Sequence, residues 1–221
     1  MTLLLERLTR LEAVARARGR DADPAHDFLH IRRVADNARR IAASEGADLD
    51  IVLPAVLLHE LFNYPKDHPD SALSGEVCAA EAATVLSDEG FSPRQTAAIC
   101  ECIRVHSFSR GIVPETLEAE VLQDADRLDA LGAVGIARCF ATGTAMRRPF
   151  YDGTDPFCRR REPDDKEYTL DHFYRKLLRL SETLHTRTAQ AIAAERTTFL
   201  QTFLAQLERE IGVGEEARHT G

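Results

Sequence analysis

Two histidines and two carboxylates, far apart in the chain, are of the types that hold a metal ion: His30, the adjacent His59 and Glu60, and Asp126 within Asp124-Ala125-Asp126-Arg127-Leu128. Neutral imidazole nitrogens and ionised carboxylates suit borderline divalent metals, and a site with few protein ligands leaves positions open for water and substrate. Glu60 closes the apolar run Ile51 to Leu58. A carboxylate buried there without a partner costs several kcal/mol, so it calls for a metal, an arginine or a hydrogen-bond network. Asp126, between Leu122 and Leu128, raises the same demand. The His-Glu doublet is not the start of a zincin motif. That motif needs a histidine three residues after the glutamate, where Asn63 stands.

Three stretches carry a family resemblance in their order and spacing. They are His26-Asp27-Phe28-Leu29-His30-Ile31-Arg32-Arg33-Val34, then Leu57-Leu58-His59-Glu60, then Ala125-Asp126-Arg127-Leu128-Asp129-Ala130-Leu131-Gly132. Together they resemble the HD-domain metal-dependent phosphohydrolase superfamily, and within it the small stand-alone bacterial subgroup related to YedJ. Further likeness lies in His106-Ser107-Phe108-Ser109, in Asp152-Gly153-Thr154-Asp155-Pro156-Phe157, and in Tyr168-Thr169-Leu170-Asp171-His172-Phe173 with Lys176-Leu177-Leu178. The resemblance spans roughly residues 20 to 210. It implies an all-α HD-domain helical bundle with additional C-terminal helices, and a metal site formed by His30, His59, Glu60 and Asp126. Among the three aspartates 124, 126 and 129, it is Asp126 that falls on the ligand position. One departure stands out: the superfamily doublet is His-Asp, and here its second member is Glu60, which keeps the charge but carries an extra methylene.

The elements that must position these groups read as helices throughout, because apolar residues recur at helical spacing and strand-like runs are missing. Leu4, Leu8, Leu11 and Ala15 trace a first helix ending near Gly19. A second is expected after Asp23-Pro24, a cap and a first-turn residue, and to run to Gly46 with Ile31, Val34, Ala38 and Ile41 inward. Residues 50–62 read as a third, central helix, with Pro54 tolerated near its start. His59 and Glu60 stand about 100° apart on a helix, so they share an ion only where that helix unwinds at its end. Residues 63–75 read as a loop, and further helices are expected at 76–88, 92–106, 114–131, 133–147, 165–180 and 183–211, with 150–164 irregular. We expect one domain over 1–212, with the metal-binding core at about 20–135, C-terminal helices at 136–212 and a frayed tail over 213–221.

Composition narrows the partners. Lys+Arg 28 against Asp+Glu 36 gives a net charge of −8, which disfavours long nucleic acids and anionic membranes. The dense basic stretches, Met146-Arg147-Arg148 and Cys158-Arg159-Arg160-Arg161, read as solvated loop charges. Five cysteines without framework spacing suit a reducing cytoplasm. Charges interrupt the apolar N-terminus by Glu6, too early for a signal-peptide core or a membrane span.

The chemistry expected of such a site is hydrolysis of a small phosphorylated metabolite, a nucleotide or other phosphomonoester, through a metal-activated water. The ion is divalent (Mn, Fe, Co, Ni, Mg or Zn), and one per chain is expected. Arg33, Lys66, His68 and Arg127 are candidates to hold substrate oxygens, with Arg127 alternatively paired to an aspartate. Lys66, His106 and Asp27 are the catalytic candidates, and His106 or His68 is also available as general acid or second-metal ligand. Two other readings stay open. One is a di-iron oxygenase of the same fold; the other is a catalytically impaired scaffold that binds a nucleotide or anionic metabolite.

Overall fold

The computed structural model describes residues 2–18, 27–64, 68–107 and 110–211. Among them the regular structure is all α, as nine helices: α1 Thr2–Arg18, α2 Phe28–Glu45, α3 Leu49–Leu58, α4 Ser74–Asp88, α5 Pro93–Val105, α6 Leu117–Asp129, α7 Gly132–Ala145, α8 Asp171–Arg175 and α9 Arg187–Ile211. Short 3-10 turns cover Ser71–Leu73 and Leu177–Thr183. No described helix is long and apolar enough to cross a membrane. The expected features at Gly19, Asp23-Pro24, His26, Lys66, Phe108-Ser109 and the 213–221 tail lie outside the described residues.

Local chemistry fixes several helix ends. Asp27, not Asp23, caps α2: its Oδ1 accepts from His30 N at 2.9 Å. At the far end Gly46 takes the left-handed conformation, φ 81°, and donates to Ala42 O. Ser92 and Gln95 form a reciprocal capping box on α5. α3 runs through Pro54, giving up the one backbone N–H that proline lacks, and stops at Leu58.

The chain divides into two compact units, one made of residues 1–129 with 184–189, the other of 130–183 with 190–221. In the first, α3 packs against α1, α2, α5 and α6, and α2 packs against α6. That is why α3 is apolar on every side, with Val52 to Leu58 all buried. In the second, Phe140, Phe150, Phe173 and Phe203 form an aromatic cluster, with Phe173 and Phe203 stacked at 5.8 Å.

Two expectations are corrected in the second unit. The helix expected over 165–180 is only the five-residue α8 followed by a 3-10 turn. Side chains here compete for backbone donors: Asp164 Oδ1 accepts from Lys166 N, and Asp171 Oδ2 accepts from Asp164 N. The Cys158–Arg161 charges are not all solvated either. Arg161 clamps the fully buried Asp171 with both terminal nitrogens, and Arg159 pairs with Glu208. A buried carboxylate needs such a partner, and a basic run gives no sign of which of its members will supply it.

Candidate metal centre

α2, the end of α3, and α6 bring the candidate donors together. Capping by Asp27 sets the first turn of α2, whose third residue is the fully buried His30. Where α3 stops, His59 occupies the C-cap position and Glu60 the turn that follows. The unwinding that two neighbouring ligands require is therefore present. Cys78 of α4 secures that turn, its thiol donating towards Leu58 O and His59 O at 3.3 and 3.2 Å. Burial pushes the Cys78 thiol up to about 11, so it stays a neutral donor.

His59 Nδ1 lies 2.6 Å from Val56 O, a contact that commits the ring proton to Nδ1. Its Nε2 then presents a lone pair, and that atom is buried with no hydrogen-bond partner among the described residues. Burial lowers the His59 pKa to about 4, outweighing the upward pull of Glu60. His30 follows the same logic with a different partner: its Nδ1 lies 2.7 Å from Asp129 Oδ2. Its Nε2 faces Asp126 Oδ1 at 3.4 Å and Glu60 Oε1 at 3.9 Å, and Glu60 Oε1 is also 3.9 Å from His59 Nε2.

Among the described residues, His30, His59 and Glu60 offer three donor atoms that lie within 4.8 Å of one another. Asp126 approaches His30 from α6 with a side chain about a quarter exposed. A nitrogen lone pair and a carboxylate oxygen repel one another, whereas a divalent cation between them would bind both kinds of donor. The buried, unpartnered His59 Nε2 fits that group.

His106 belongs to the same neighbourhood. Its ring meets that of His59 edge-on with centroids 5.2 Å apart, and its Nδ1 is 2.6 Å from Ile103 O, the same C-cap device as in His59. The other candidates are engaged elsewhere. Arg33 grips Asp129 through Nε at 2.7 Å and Nη2 at 3.0 Å, which raises the arginine pKa further. Arg127 is buried, donates to Gln123 Oε1 at 2.6 Å and lies beside His185 Nε2; burial lowers its pKa despite Asp124 and Asp126. His68 stacks on Tyr64 at 4.5 Å and accepts from Asp70 N.

Three contributors escaped the sequence reading: Asp129, Cys78 and Asp124. The first two are described above. The buried Asp124 accepts from His185 N, from Thr186 N and from Thr186 Oγ1, fixing the start of α9. A signal for Asp129 exists in its spacing. It follows Asp126 by three residues, so one helical turn carries both towards α2.

A family model for the HD domain matches residues 27–131. The chain is 36% identical over 195 residues to the uncharacterised protein YpgQ of Bacillus subtilis (strain 168), covering 86% of this chain and 87% of that protein. The crystal structure of B. subtilis YpgQ in complex with ADP is similar at a TM-score of 0.73 and 34% identity, covering 92% of this chain and 97% of that one. An HD-superfamily hydrolase from Bacillus thuringiensis is similar at a TM-score of 0.75 and 28% identity, over 95% of this chain and 99% of that one.

Proposed function

The chain belongs to the HD-domain family, and on that premise we propose that it is a metal-dependent hydrolase of a small phosphorylated metabolite, a nucleotide or another phosphomonoester. The observation that carries this reading is the convergence of His30, His59 and Glu60 on one point, with Asp126 beside His30. The ADP complex of B. subtilis YpgQ supports the nucleotide class.

In this reading His30 and His59 offer Nε2, while Glu60 and Asp126 offer oxygen and offset the charge of one ion. A divalent ion so held would supply a water of lowered pKa and polarise a phosphoryl oxygen. The chain's own groups do the rest. With Nδ1 committed to Ile103 O, His106 has Nε2 as its atom for proton transfer to or from the reacting group. Asp27 serves by fixing the first turn of α2, and with it His30. Lys66 and His68, which follow His59 and Glu60 in sequence, are proposed to meet the substrate's phosphoryl oxygens.

Metal analysis of protein purified without chelator, followed by a phosphatase panel with added manganese, iron, cobalt, nickel and magnesium, tests the proposal. His59→Ala and Asp126→Ala are expected to lose bound metal and turnover together. Full metal occupancy in either variant removes that residue from the ligand set. Glu60 in place of the doublet's aspartate favours one further reading, a nucleotide-binding scaffold without turnover. Saturable ADP binding with no product from any panel substrate identifies it.

A further inference from the structure

We propose that Asp129 and Arg33 are positioning residues that hold His30 in the orientation and tautomer a metal ligand needs; this rests on the metal reading above. One turn of α6 places a carboxylate at each nitrogen of the His30 ring: Asp126 Oδ1 at 3.4 Å from Nε2 and Asp129 Oδ2 at 2.7 Å from Nδ1. The two ends of the ring are thereby made unequal. Nδ1 donates its proton to Asp129, and Nε2 is left to present its lone pair beside Asp126, Glu60 and His59.

Asp129 performs this only if its own carboxylate cannot turn. Arg33 prevents the turn, because its Nε takes Oδ1 at 2.7 Å while its Nη2 takes Oδ2 at 3.0 Å, the oxygen that also faces His30. The planar fork fixes the carboxylate plane in a way that a point charge does not. His30 and Arg33 are neighbouring residues on α2, three apart, and Asp129 is 2% exposed. A single buried oxygen pair thus reads the register of α2 against α6 and transmits it to the ring. If the pair were only a stitch between two helices, its loss would lower stability and leave the metal affinity alone.

The test separates these roles. Metal affinity is measured by titration calorimetry on apo-protein, with whichever of manganese, iron, cobalt, nickel, magnesium and zinc the wild type binds most tightly. Circular dichroism and metal-free melting are recorded alongside. Asp129→Asn keeps the shape but puts an NH2 donor in place of one of the two acceptors, so either Arg33 Nε or the shared site of Arg33 Nη2 and His30 Nδ1 meets a donor instead of an oxygen. It is expected to retain helical content and weaken metal binding about 10–100-fold, the usual cost of removing such a partner. Arg33→Lys keeps the charge without the fork and is expected to weaken binding several-fold, and it carries the test if Asp129→Asn fails to fold. Wild-type affinity in a folded variant of either kind overturns the inference while leaving the metal reading intact. If the wild type binds none of these metals, the metal reading falls and this one with it.

Discussion

Glu60 Oε1 lies 3.9 Å from both His30 Nε2 and His59 Nε2, reached by a side chain one methylene longer than the aspartate of the family doublet. Shortening it withdraws the oxygen from both rings without touching the apolar face of α3. Glu60→Asp is therefore expected to preserve helical content and melting behaviour while shifting metal preference or raising turnover. Unchanged metal content and unchanged turnover would put Glu60 outside the ligand set. His59 gives a pH dependence whose sign is fixed by burial. Its folded pKa of about 4 lies below the ordinary 6.5, so between these values the unfolded chain binds a proton that the folded chain does not. Stability of the metal-free protein is then complete with respect to this group above pH 6.5. It falls as the pH drops towards 4, by up to about 3 kcal/mol. Denaturant titrations at several pH values should show a shallower decline over this window in His59→Gln, and parallel curves for the two proteins would rule the assignment out.

The start of α9 follows from Asp124 as much as from local capping. Its carboxylate accepts from His185 N and Thr186 N, and Thr186 Oγ1 both donates to it and accepts from Ala189 N to cap α9. Asp124→Ala strips a buried cluster of charge-assisted bonds and is expected to cost about 2–4 kcal/mol. Chemical denaturation of the metal-free protein measures this, and a loss under about half a kcal/mol would show that the clip carries no weight. Contacts of this kind mark the limit of what residue order reveals. The helical bundle, the apolar α3 and the break in it at His59 are legible because periodicity and apolar runs are local signals. The partners of Asp124, Asp129 and Cys78 are not, since they lie 61, 99 and 20 residues away, and the spacing of Asp129 from Asp126 shows only that the two share a helix side. The cap of α2 falls at Asp27, four residues past the expected Asp23, for the opposite reason. Asp23-Pro24 and Asp27 are equally good local starts, and only the bond to His30 N selects the second.

At the scale of the molecule, the first compact unit is discontinuous: residues 1–129 are completed by 184–189, a segment well past the stretch that matches the HD family model. A chain cut after residue 131 would retain every proposed metal ligand and lose the donors to Asp124. It is expected to melt well below the whole protein and to bind metal weakly. Melting and calorimetry of the two side by side measure this, and equal curves would show that residues 184–189 are dispensable. The same feature has a consequence in time. At roughly 5–20 residues per second, the ribosome adds the 61 residues between Asp124 and His185 in roughly 3–12 s. For that interval the nascent chain carries an anion destined for burial whose backbone donors have not yet been made. The first three-fifths of the sequence must wait for the last fifth before it can close.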